Sequence, residues 1–414
     1  MEKFDLDASG YIDYNTNCAA GNTNGIRACN ILTNGLAMVS GEKFHRAIGH
    51  RDYGMYGYDM KLNHVMGNHD MTFGYRHHHD YRQRQDNGIS ETWSLGDNNT
   101  YTSVSIDRDP STLQERKSAW ADSISFQDRI THGNFVTTLG VRYEDVEYDK
   151  ISKSDGSLTA YENSETMMAV SSAYSMGEGK TAFVGYSQGY NPTGASSVEP
   201  EESDNYEIGY RSRNAAGFME VVAFYVDYDQ LNETCSIASG CGDASQDQKN
   251  AGEAHSSGIE FTMKMNNLFP STQMKGAGDM SGVRYPFVFS ATIQEAERDV
   301  TTGSSIIDGN QLTYSPEESF YVSIGAETND WDYKFAAKYT DEYFTNDANT
   351  QKTEDAWIVD FQGGIKLDKL GMQGARAFVN VDNLLDKTYM ASAHEYGVRP
   401  NKPQSFMAGV TFDF

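Results

Sequence analysis

The segment Phe406 to Phe414 alternates: Phe406, Ala408, Val410, Phe412 and Phe414 hold the even positions, while Gly409, Thr411 and Asp413 hold odd ones. A period of two sends the two sets to opposite faces of an extended strand. The pattern recurs in Trp331 to Tyr339, where Asp332, Lys334 and Lys338 oppose aromatics. It recurs again in Trp357 to Leu367, where Trp357, Val359, Phe361, Ile365 and Leu367 oppose Asp360, Gln362 and Lys366. A soluble sandwich also alternates. Here the aromatics gather at the ends of the apolar faces, as two membrane interfaces require.

This pattern predicts an all-β, antiparallel transmembrane barrel. The chain has 8 prolines, 38 glycines, 26 tyrosines and 20 phenylalanines in 414 residues, with a mean hydropathy of −0.62. No apolar run approaches the roughly 18 residues of a membrane helix. A barrel strand shows lipid only every second residue, so low hydropathy does not exclude a membrane. The net charge of −26 argues against nucleic acid as a partner.

Read backwards from Phe414, strands are expected near 374–383, 356–367, 330–343, 315–328, 285–298, 254–267, 217–231, 205–214, 179–191 and 160–176. Others follow near 133–148, 118–131, 68–83, 53–66 and 4–14, giving about 16 in all. Tight turns such as Gly67-Asn68 alternate with long polar loops near 17–52, 84–117, 192–204, 232–253 and 344–355. Short turns belong on the periplasmic side and long loops outside. The connection 268–284 is too long for its side, and the faces of Phe218 to Leu231 stay unassigned.

The cysteines fall as two local pairs, Cys18 with Cys29 and Cys235 with Cys241, in polar loops. Zinc favours tighter spacing, so disulfides in an oxidising compartment are expected, with four free thiols the alternative. The register places both pairs outside. Met1 to Asp7 has neither a basic nor an apolar signal region, so an artificial or internal start is expected.

The terminal Phe378-Val379-Asn380-Val381-Asp382-Asn383-Leu384-Leu385-Asp386-Lys387-Thr388-Tyr389, with its last aromatic strand, resembles the end of TonB-dependent receptors. Leu385 stands where the family has phenylalanine, and Lys402-Pro403-Gln404 replaces a Pro-Arg entry. Gly189-Tyr190-Asn191-Pro192, then Pro200-Glu201-Glu202-Ser203 with Tyr206-Glu207-Ile208-Gly209-Tyr210-Arg211, also looks like the family, as do Phe224 to Asp229 and Gly258-Ile259-Glu260. Tyr75 to Arg82 and Asn250-Ala251-Gly252-Glu253 look most like the ferric-citrate branch.

The resemblance implies that residues 1–414 are the barrel of an outer-membrane receptor for a ferric chelate, with its plug and first strands lying outside this sequence. It implies about 22 strands in the whole barrel. Implied partners are the ferric chelate, TonB-ExbB-ExbD through the plug, outer-membrane lipid and lipopolysaccharide, and the barrel-assembly machinery. A passive sixteen-stranded porin is the alternative. A soluble propeller would show a repeat of about 40 to 50 residues, which is not found.

In Met71 to Arg82, the residues Met71, Phe73, Tyr75 and Tyr81 share one face, and Arg76, His78, Asp80 and Arg82 share the other. An arginine facing lipid near the midplane costs roughly 2 to 4 kcal/mol, so the second face is luminal. His77, His78 and His79 cannot close on one ion, because successive strand side chains diverge, and an interfacial histidine cluster is expected. Arg76, His78 and Arg82 are candidate ligands for an anionic ferric carboxylate. They serve equally well as luminal charges paired with residues such as Asp80. Arg51 and Arg399, in loops, are weaker candidates. No catalytic motif, metal site or cofactor site is found, so no enzyme activity is expected.

Overall fold

The computed structural model describes residues 2–3, 43–95, 101–108, 115–152, 156–193, 198–234, 248–269, 282–301, 307–394 and 397–412. In chain order the strands are β1 (Glu2–Lys3), β2 (Lys43–Met66), β3 (His69–Leu95), β4 (Tyr101–Arg108), β5 (Glu115–His132) and β6 (Phe135–Ser152). Next come β7 (Leu158–Gly177), β8 (Lys180–Asn191), β9 (Glu201–Asn214), β10 (Gly217–Thr234), β11 (Gln248–Met265), β12 (Phe287–Arg298) and β13 (Glu318–Glu327). The chain ends with β14 (Trp331–Thr340), β15 (Ala356–Lys366), β16 (Ala375–Asp382), the hairpin β17 (Met390–His394) and β18 (Gly397–Pro400), and β19 (Ser405–Phe412). The one helical piece among the described residues is the single turn Asp368–Leu370.

Each long strand pairs antiparallel with its sequence neighbour, from β2 to β3, from β3 to β5, onward to β16, and from β16 to β19. The short β1 adds two residues to β2, and β4 pairs with the far end of β3. Setting these two aside from the 17-stranded sheet leaves 15 wall strands among the described residues. No residue-by-residue register joins β19 back to β2 among the described residues.

Two-residue turns close one end of the wall at Gly67-Asn68, Gly133-Asn134, Glu178-Gly179 and Ala215-Ala216. Glu178 and Gly179 both take positive φ, 53° and 74°, which matches the right-handed strand twist. Most long connections lie at the other end, as in outer-membrane barrels, while the connection between β11 and β12, residues 266–286, runs at the turn end.

The alternation sorts the faces. Ile208 is 63% exposed on the outer face, and its register partners Val184 and Ala223 share that face. Tyr225 pairs with Tyr206, so the odd residues of β10 up to Asp227 face outward, which settles the faces that sequence left open. Tyr333 and Phe335 are exposed outward, and Phe361 packs on both. At the loop end, Tyr186, Tyr206, Tyr225 and His255 form an outer ladder with neighbouring rings 5.1, 6.4 and 5.9 Å apart. At the turn end, Phe135 packs on Tyr174 at 4.7 Å. These are the two aromatic girdles, and the exposed apolar surface between them is what lipid tails cover.

Several expected loops are instead strand. β2 begins at Lys43, within the stretch read as a loop to residue 52, and Arg51 therefore lies in a strand. The expected loop 84–117 contains the end of β3, all of β4 and the start of β5. β10 runs to Thr234 and β11 starts at Gln248, narrowing the loop 232–253. Arg399 lies in β18, a hairpin within the last long connection. In each case the ribbon continues beyond the lipid, where no apolar stripe is needed to report it. The expected strand 4–14, residues 270–281 of the long connection, and Cys18, Cys29, Cys235 and Cys241 lie outside the described residues.

Candidate functional site

The luminal wall near the loop end is set by register. Directly paired residues of antiparallel neighbours face the same way, so Arg82 of β3, Lys117 of β5 and Lys150 of β6 form one continuous row. Tyr53 of β2 extends that row opposite Arg82. One step toward the loops lies Glu115, which is 8% exposed and accepts a hydrogen bond from Nη2 of Arg82. Its other oxygen is 3.9 Å from the ammonium groups of both Lys117 and Lys150. Arg51, on the same face of β2, stands in the register row of Glu115, two residues from Tyr53. Three cations therefore gather around one carboxylate, with Arg51 further along the same row, in a chain whose net charge is −26.

The next rows hold the rest of the expected candidates. His78 and Asp80 follow Arg82 on the luminal face of β3, with His78 Nε2 3.5 Å from Asp80 Oδ2. Arg76 lies further down, opposite Asp59 of β2 and Ser123 of β5. Among the described residues no ion pair is formed by Arg76. Three buried polar atoms in this row, His78 Nδ1, Asp80 Oδ1 and Arg82 Nε, have no hydrogen-bond partner among the described residues. Buried polar atoms are ordinarily paired, with protein or with water.

Of the candidates from sequence, the structure brings Arg51, Arg82, His78 and Arg76 to one luminal face. The side chain of Arg399 lies outside the described ones. The pairing of Arg82 with an acid is found, but the acid is Glu115 rather than Asp80. Lys117, Lys150 and Glu115 were invisible to a reading of single strands, because only the register across β3, β5 and β6 joins them.

The histidines separate as the pleat demands. His77 and His79 turn outward, where His79 is 4.4 Å from the Trp120 ring and 4.9 Å from that of Tyr56. His77 Nδ1 is 2.9 Å from Asp122. His78 alone faces the lumen. Among the described residues no group of three or more His, Cys, Asp or Glu could hold a metal.

The family model described as TonB dependent receptor-like, β-barrel matches residues 3–384. The ferrioxamine B receptor of Salmonella typhimurium is 22% identical over 278 residues, covering 65% of this chain and 37% of that receptor. The ferrichrome outer membrane transporter and phage receptor of Escherichia coli is 22% identical over 301 residues, covering 70% of this chain and 37% of its own. The chain thus spans little more than a third of these relatives. Among solved structures, the unliganded ferric citrate transporter FecA superposes with a TM-score of 0.66 at 17% identity, over 90% of this chain and 56% of that one. The siderophore receptor PiuA from Acinetobacter baumannii also gives 0.66, at 12% identity, over 90% and 57%.

Proposed function

The chain belongs to the TonB-dependent receptor β-barrel family, and on that premise we propose that it forms most of the wall of an outer-membrane receptor importing an anionic ferric chelate. The family is one of transport receptors rather than enzymes, and its members reside in the outer membrane. The relatives' names concern ferrioxamine, ferrichrome, ferric citrate and other siderophores, which supports a ferric chelate as cargo. A passive pore is the less favoured reading, since the matched family is that of receptors.

The observation that carries the anionic character of the cargo is the row Arg82, Lys117 and Lys150 with Arg51 beside it. Guanidinium groups pair carboxylates with charge-assisted hydrogen bonds, and a partly desolvated wall strengthens them. In the whole receptor, coupling to TonB, ExbB and ExbD would run through a plug. Assembly machinery and lipopolysaccharide are the remaining proposed partners of the wall.

The test is ligand binding by the whole receptor carrying Arg76→Ala and Arg82→Ala together. Titration with ferric citrate is expected to show a loss of about 1 to 3 kcal/mol per charged hydrogen bond removed. Unchanged affinity in a correctly folded double variant refutes these arginines as ligands and leaves the family assignment standing.

A further inference from the structure

Alternation fixes which side chains of β19 face lipid, but not where β19 sits along β16. Val381 pairs with Phe361 on one side and Phe406 on the other, so the even residues of β19 face outward and the odd ones face the lumen. A slip by one residue would exchange the two faces. A slip by two restores them and keeps most of the ladder, so lipid cannot tell the observed register, with Val379 opposite Ala408, from its two-residue neighbours. Gly409 supplies one mark: a Cβ there would lie 2.8 Å from the Phe378 ring, and a slip by two would set Met407 or Thr411 in its place.

The connection after β16 supplies a stronger mark, in the Asn383-Leu384-Leu385-Asp386-Lys387 segment. Asn383 is 3% exposed and sits at φ 51°, a left-handed backbone that asparagine tolerates. Its amide leaves the ladder and donates to Asp360 Oδ1 at 2.8 Å, and the Leu384 amide rejoins β15 at the Val359 carbonyl, 2.6 Å away. The Asn383 side chain then ties both arms of the connection. Nδ2 donates to the Lys387 carbonyl at 2.9 Å and to the Lys402 carbonyl at 3.1 Å, and Oδ1 accepts from the Lys387 amide at 2.9 Å. Beside it, the Gln404 amide donates to Asp386 Oδ1, and Gln404 Nε2 donates to the Leu384 carbonyl. Asp382, which ends β16, accepts from Lys402 Nζ at 2.5 Å and from the Ser405 hydroxyl at 3.1 Å. Leu385, 67% exposed, lies outside this knot.

We propose that Asn383 is a register lock: its buried side chain holds Lys402 against the end of β16 and so selects one register of β19 from those that lipid alone would accept. A slip by two carries the Lys402 carbonyl away by about 6.8 Å. One N–H of a buried amide then loses its acceptor, a loss that apolar contacts do not make good. The choice of register reaches beyond one strand pair. Registers around a closed barrel add up to its shear, and shear with strand number sets strand tilt and bore. Where the wall closes into a ring, Asn383 therefore helps to set the width of the lumen, whichever cargo passes through it.

Disulfide mapping in the whole receptor, assembled in the membrane, tests the lock. Val379→Cys with Ala408→Cys reports the observed register, and Val379→Cys with Phe406→Cys or Val410→Cys reports the two slipped ones. Directly opposed residues lie within disulfide reach, whereas diagonal ones are about 7 to 8 Å apart. With Asn383 in place only the first pair should cross-link. Asn383→Gly keeps the left-handed backbone and removes the side chain, and it should raise cross-linking of a slipped pair at least tenfold. Assembled Asn383→Gly protein that cross-links only between positions 379 and 408 overturns the proposal, because a side chain that merely stabilises changes the folded yield and not the register. A second arm keeps Asn383 and inserts Ser-Gly after Pro403. If Lys402 is held, β19 moves by two and the pair at 379 and 406 cross-links. If the insertion bulges out and the pair at 379 and 408 persists, β16 contacts alone set the register and the lock is refuted.

Discussion

Arg376 reaches over the bare backbone of Gly364 to set its Nη2 2.8 Å from both carboxylate oxygens of Asp332. A Cβ at Gly364 would lie 2.0 Å from that nitrogen, so the bridge exists because β15 offers no side chain between β14 and β16. The displaced group would be the flexible end of an arginine, so the cost of Gly364→Ala is the bridge rather than a clash of backbones. Both partners are well exposed, 39% and 45%, and solvent screens them. Gly364→Ala and Asp332→Asn should each cost about 0.5 to 1 kcal/mol, and together little more than either. Urea titration of the folded barrel in lipid measures this, and full additivity would show that the two residues act separately.

The face assignment predicts a sharp asymmetry. Ile208→Arg places a cation on the exposed outer face and should destabilise the barrel by roughly 2 to 4 kcal/mol near the midplane. Ser171→Arg, on the luminal side of β7, should stay within about 1 kcal/mol of the parent. Heat-modifiable gel mobility gives the folded fraction for each. The opposite order would invert every face described above.

The Glu115 carboxylate lies within 4 Å of Arg82, Lys117 and Lys150. If it merely competes with the cargo for these cations, Glu115→Gln should tighten binding of ferric citrate to the whole receptor severalfold. The gain should depend only weakly on salt, because charges this buried are screened much less than exposed ones. Weaker binding instead would mean that Glu115 is needed to hold Arg82 in place.

For the cysteines, non-reducing peptide mapping of protein exported through the periplasm should join Cys18 to Cys29 and Cys235 to Cys241. The sequence pattern puts each pair in one polar loop expected on the oxidising side. Pairing across the two connections, or free thiols, would contradict the topology read from the sequence.

What the sequence revealed tracks where chemistry differs between the two strand faces. In β14 and β15, Tyr333, Phe335 and Phe361 meet lipid while Asp332 and Gln362 do not, and the observed bounds fall within a few residues of those expected. Past the girdles both faces meet water, the contrast vanishes, and Lys43 to Asp52 could not be told from loop. The cationic row failed to show for another reason: Arg82 and Lys117 are 35 positions apart, and only the β3 to β5 register makes them neighbours. Arg76, His78 and Arg82 were legible because two-residue spacing within one strand already fixes a shared face.

The pairing pattern carries an arithmetic of direction. Fourteen antiparallel steps separate β2 from β19, so these two strands point the same way across the membrane, and the two residues of β1 lie antiparallel on the side of β2 away from β3. Stitching one to the other would create a parallel pair with no crossover to support it. A second copy turned about the membrane normal meets the same mismatch, and one turned about an in-plane axis would carry its long connections to the wrong side. Only an odd number of further strands restores alternation around the ring. A barrel of about 22 strands would need about seven beyond the 15 long strands among the described residues, whichever segment or polypeptide supplies them.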